Sequence, residues 1–88
     1  MPRASDGGGD SPVGAVVAFT PSGFVTVRCR TERFPSEGAS VVDRSRRLEG
    51  RVVRVFGPVA RPYLLVRPRR APSPVDAAAL LNAEVVRA

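Results

Sequence analysis

The sequence has no histidine, no lysine and one cysteine, Cys29, in 88 residues. Each absence removes a class of chemistry. Without histidine, and with a single thiol, no zinc ligand set can be assembled. No imidazole stands ready to activate a serine or cysteine nucleophile. Cys29 ends the apparent strand Phe24–Cys29, so a buried, unreactive thiol is expected there. It has no partner for an internal disulfide. A free thiol, together with a first stretch that lacks an apolar core, favours the cytoplasm, and that is the localisation expected. No apolar run approaches the roughly 18 residues needed to span a bilayer, so no membrane role is expected.

Catalysis needs a positioned acid, base, nucleophile or metal. The eight acids fall mostly in turns and charged segments, where solvated surface is the default, and no two are spaced as an acid/base dyad. Gly7-Gly8-Gly9 follows no strand and precedes no GK[ST], so it is no phosphate loop. The expectation is a non-catalytic protein without cofactor or metal. Aromatics are also scarce, with four Phe, one Tyr and no Trp. Most of the Phe positions are expected in the core, which leaves little surface for base stacking.

What is present divides the chain into a tail, residues 1–12, and one small domain, residues 13–88. The tail is Gly, Ser, Asp and Pro without an apolar run, a composition that predicts disorder. Beyond it, Val13–Phe19 and Phe24–Cys29 read as a hairpin through the turn Thr20-Pro21-Ser22-Gly23. Arg30–Ser40 is a polar loop. Val41-Val42 is a brief apolar segment, and Leu48–Phe56 and Tyr63–Arg67 have strand character, the last stopped by Pro68. On Leu48–Phe56 either Val53 and Val55 or Val52 and Phe56 are expected to face inward, with a bulge near Gly50. Ser73-Pro74-Val75-Asp76 has the spacing of a helix-capping box, so one helical turn is expected before a closing strand at Glu84–Arg87. Five or six short strands with close turns predict an all-β fold, a small antiparallel barrel whose closure removes exposed edges.

The charge is local. The chain carries +6, and residues 43–70 hold nine arginines against Asp43 and Glu49, a local +7. All 14 basic residues are arginine, which supplies planar, bidentate charge in place of point charge. Arg44, Arg46, Arg47, Arg67, Arg69 and Arg70, with Arg51, Arg54 and Arg61, are candidates for an electrostatic or RNA contact, weighed against a merely solvated face. Within the same region lies Phe56-Gly57-Pro58-Val59-Ala60-Arg61-Pro62-Tyr63. Its prolines fix the backbone, so it reads either as a stiff hairpin loop or as a pre-ordered protein contact.

The pattern Gly50–Val59, then Pro62-Tyr63 and Val66-Arg67-Pro68, preceded by Val41-Val42-Asp43 and by Gly23–Arg28, resembles the core domain of the archaeal Gar subunit of H/ACA ribonucleoproteins. The resemblance spans about residues 13–87. It implies a six-stranded translation-factor-like barrel without catalytic activity, docked on a pseudouridine synthase of the dyskerin type. It also implies a role in loading and releasing rRNA substrate during guide-RNA-directed pseudouridylation, in ribosome biogenesis, with little contact to the guide RNA. By position, Phe56, Gly57, Pro58, Val59, Pro62 and Tyr63 are the partner contacts, with Arg61 and Val66 as neighbours. The glycine-arginine repeats of eukaryotic members are missing here. Asn82-Ala83 stands where relatives carry Gly before Glu-Val. Two rivals remain: a module binding RNA directly through the Arg face, and a related barrel, either structural or an assembly factor of the same particle.

Overall fold

A computed structural model describes residues 12–30 and 33–88. The tail expected over residues 1–12 lies outside the described residues except for Pro12, which opens the first strand. Six strands, β1 (Pro12–Phe19), β2 (Val25–Cys29), β3 (Ser40–Asp43), β4 (Glu49–Phe56), β5 (Tyr63–Pro68) and β6 (Glu84–Arg87), surround one axis, with α1 (Pro74–Leu80) between β5 and β6. They form a closed barrel in the order β1-β2-β5-β4-β3-β6. Every neighbouring pair is antiparallel. The all-β, six-stranded barrel expected from the sequence is therefore the fold, with a helix of 7 residues, about two turns where one was expected.

The interior is built mostly from valine. Val13, Val16, Val25, Val27, Val41, Val52, Val66 and Val85 join Leu48, Leu64, Leu80 and Cys29 in one buried cluster. β-Branched side chains suit pleated backbone, and they are compact enough for the centre of a narrow barrel. Phenylalanine is displaced from that centre, contrary to the expectation above. Phe19 and Phe34 only pack against the cluster from its margins, Phe24 lies under the Arg67 guanidinium, and Phe56 is 40% exposed. On β4 Val52 is buried and Val55 packs half-buried against the cluster, whereas Val53 and Phe56 are exposed, so one residue of each expected pair faces inward. The register slip on this strand lies between Val52 and Arg54, two residues beyond the expected bulge at Gly50. Gly50 has a different task. A Cβ there would collide with the Arg67 carbonyl oxygen, so glycine lets β4 and β5 cross closely.

Two loops pin the irregular places. The β1–β2 turn closes with Thr20 N–H donating to the Phe24 carbonyl at 2.8 Å and Gly23 N–H donating to the Thr20 carbonyl at 3.0 Å. The end of the β2–β3 connection lies along β4, with Gly38 N–H donating to the Val52 carbonyl at 2.7 Å and Val52 N–H donating to the Ala39 carbonyl at 2.9 Å. Ser73 caps α1 by accepting from Asp76 N–H at 3.1 Å, as its spacing predicts. Asn82 then takes a left-handed backbone, φ 69°, a conformation asparagine tolerates better than most residues. Its N–H donates to the Val16 carbonyl at 2.8 Å, beside the β1 bulge between Val16 and Ala18.

Leu80 is the buried residue of α1 and joins the core cluster, while its neighbour Leu81 is 47% exposed. Leu80→Ala is expected to lower the unfolding free energy by about 2–5 kcal/mol, and Leu81→Ala by less than about 0.5 kcal/mol, both read from urea midpoints.

Candidate functional site

The β4–β5 hairpin carries both groups of candidate residues. Its register pairs Phe56 with Tyr63 at one end and Gly50 with Pro68 at the other. The proline loop closes the first end, and the arginine-rich turns flank the second.

At the loop end the two aromatic rings stack with centroids 5.5 Å apart and planes 23° from parallel, a contact worth about 0.5–1.5 kcal/mol beyond area burial. Gly57 has φ 92°, where a side chain would be strained. A Cβ on it would also sit 2.9 Å from Tyr63 Cδ2. The glycine thus lets the chain turn back over the Tyr63 ring. Pro62 is buried, and its carbonyl accepts from Cys29 N–H at 2.9 Å, tying the loop to β2. Pro58, Ala60 and Arg61 are exposed, and Val59 at the tip is 86% exposed. A branched apolar side chain thus stands in water on a backbone held by two prolines, a stacked ring pair and a cross-strand hydrogen bond.

Val66 does not belong with these residues. Its side chain is fully buried among the core valines, because at alternate positions of β5 the side chains point inward. Pro62 is likewise a support for the loop and not a surface. Phe56, Gly57, Pro58, Val59, Arg61 and Tyr63 remain near the surface. Sequence reading missed a neighbouring recess of about 340 Å³ lined by Ala15, Val17, Arg28 and Arg61, among others. Val17 is 41% exposed because the slip between Val16 and Ala18 turns it outward. A run of small apolar residues does not announce such a slip. Arg61 links this recess to the loop and extends the surface around Val59.

At the other end, the β3–β4 turn is organised by Asp43. Asp43 is 2% exposed, which corrects the expectation of a solvated acid. It accepts from Leu48 N–H at 2.7 Å, from Ser45 N–H at 3.0 Å and from the Ser45 hydroxyl. These bonds replace water at a buried charge. They also hold the turn in which Arg46 takes φ 63°, a region non-glycine residues seldom occupy. The sequence signal was an acid two residues before a serine, the spacing of an Asx turn. Arg46, Arg47, Arg69 and Arg70 converge on one cleft. Arg44 does not join them. It turns to β6 and donates from Nε to Glu84 Oε1 at 2.7 Å, with Arg30 4.0 Å from the other Glu84 oxygen. Arg67 lies 6.0 Å above the Phe24 ring centroid.

Burial pushes the Cys29 thiol up, against a smaller opposing pull from Arg87, so the reactive thiolate is disfavoured. Among the described residues no group of His, Cys, Asp or Glu could hold a metal ion, and no helix is long and apolar enough to cross a membrane. Searches against protein-family models and curated proteins return no match for this chain.

Two outcomes are expected. Asp43→Ala leaves the buried Leu48 N–H without its acceptor and should cost about 1–3 kcal/mol. Urea unfolding measures the loss, and faster amide exchange at Leu48 locates it. The second concerns acid. The hydrogen bond from Arg44, helped by the charges of Arg44 and Arg30, holds the Glu84 carboxyl below its ordinary value. Its stabilising contribution is therefore complete above the unfolded carboxyl range, near about 4.3, and is lost as pH falls through the lower folded value. Glu84→Gln should show a shallower loss of urea midpoint between about pH 5 and about pH 2 than the parent. Parallel pH curves would remove Glu84 from this linkage.

Proposed function

We propose that this barrel is a non-catalytic docking subunit of the H/ACA particle, binding a pseudouridine synthase of the dyskerin type through the 56–63 loop. The observation that carries the docking part is Val59, 86% exposed at the tip of a loop whose backbone is otherwise fixed. An apolar side chain on a rigid support loses little conformational freedom when a partner covers it, and a central apolar or aromatic anchor is what interface hot spots use. The stacked Phe56–Tyr63 pair supplies further area and a phenolic tip. The choice of partner rests on the resemblance of the Gly50–Val59, Pro62-Tyr63 and Val66–Pro68 pattern to the Gar core domain, and the six-stranded closed barrel agrees with that resemblance. On this reading the subunit assists loading and release of the RNA substrate from the synthase, and the uridine chemistry belongs to the partner.

The test is calorimetric titration against the dyskerin-type synthase of the same organism. Val59→Asp should weaken binding by about 30-fold, the equivalent of roughly 2 kcal/mol for a hot-spot residue. Val75→Asp, at a valine 78% exposed on α1, should leave binding unchanged. Absence of binding by the parent protein, or equal binding by Val59→Asp, would reject the proposal.

A further inference from the structure

The end of the β4–β5 hairpin opposite the loop carries a concave basic surface. One cleft of about 410 Å³ is lined by Arg46, Arg47, Glu49, Arg69 and Arg70. A second of about 420 Å³ shares Glu49 and Arg69 with it and adds Arg51 and Arg67. The two adjoin as one basic trough. Arg69 lies 3.5 Å from Glu49 and Arg47 lies 3.9 Å from Asp76, and these exposed pairs are weak. Among the described residues, Arg46, Arg51, Arg67 and Arg70 form no salt bridge. Several guanidinium groups thus face one trough with little carboxylate to neutralise them, a surplus of charge that a polyanion would relieve.

The trough is also held in shape. The buried Asp43 carboxylate fixes the turn that presents Arg46 and Arg47, and it sustains the left-handed backbone at Arg46. A non-glycine residue stays in that region only where its surroundings impose it. Guanidinium groups so placed match phosphate oxygens through paired hydrogen bonds. No aromatic side chain lines either cleft among the described residues, so stacking on bases contributes nothing to recognition.

We propose that this trough binds the phosphodiester backbone of single-stranded RNA without reading base sequence. The trough is concave, and the barrel offers it no long helix to enter a duplex groove, since α1 has 7 residues; a single strand therefore suits it better than a double helix. The choice of RNA over DNA rests on the proposed partner, an RNA-guided enzyme; the trough itself rests on the structure alone. From Glu49 to Phe56 the strand rises about 23 Å, so RNA in the trough leaves the Val59 loop free. The subunit can then hold a protein at one end of the hairpin and an RNA strand at the other.

Fluorescence anisotropy of a labelled 12-nucleotide oligouridine over a salt series tests this. Four phosphate contacts predict a slope of log K against log salt near −3, or a loss of about 50-fold between 50 and 200 mM salt. Arg51→Ala combined with Arg70→Ala should flatten that slope by about 1.4, and both residues are exposed. Val59→Asp should leave RNA binding unchanged, and the double arginine variant should leave synthase binding unchanged, so each proposal fails on its own measurement. An unaltered slope in the double variant would overturn the inference. So would tighter binding of oligoglutamate of equal charge, which assigns the trough to an acidic protein segment, or of oligothymidine, which assigns it to DNA.

Discussion

Closure of the barrel by β6 is the constraint on which the structure depends. Four residues, Glu84–Arg87, pair with β1 on one side and with β3 on the other. Without that strand, β1 and β3 each present an unpaired edge, and the Val85 side chain leaves the core. A domain of this size has little apolar surface to spare, and Cys29 is its only thiol, so no covalent staple compensates. Glu84 reinforces the closure through Arg44 and its own backbone carbonyl, which accepts from Arg44 N–H at 3.2 Å. The basic turn and the closing strand are thereby joined.

The β4–β5 hairpin then acts as a beam with different chemistry at each end. Its middle supplies core residues, Val52, Leu64 and Val66, from its inward face. Each of its ends is stiffened in its own way. The loop end relies on prolines and a ring stack, which need no charge. The arginine end relies on a buried carboxylate, which organises like charges that would otherwise drive one another apart. Both devices place the cost of order in the folded protein and not in an encounter with a partner.

The barrel was legible in the sequence because β-branched runs, turn residues and the Ser73 cap all point the same way. The details that failed are those where two adjacent apolar residues compete for one inward position. Val16-Val17 and Val52-Val53 each resolve through a register slip, and which valine turns out depends on neighbouring strands far away in the chain. Val66 was misassigned for a related reason, since its pattern position says nothing of which face it takes. Phe was expected inside on hydrophobicity alone, yet the available space favoured valine. The spacing of Asp43 and Ser45 signals the Asx turn, but the burial of Asp43 was hidden because Leu48, the donor to its other oxygen, is brought there by the pairing of β3 and β4. Proximity of Arg46 and Arg47 to Arg69 and Arg70 follows equally from that pairing and from β4 lying beside β5.

The strand order has one more consequence. Pro12, where β1 begins, stands opposite Val86, near the end of β6, so the two ends of the fold leave from the same rim. The connectivity between them is thus incidental to the packing. A short linker across that rim, with new ends opened in the β2–β3 connection, would preserve every ladder of the barrel. The same adjacency suits the unit to life as an insert: a host loop could accept it at one point, and the barrel would ride on the host as a side module without prising its own strands apart.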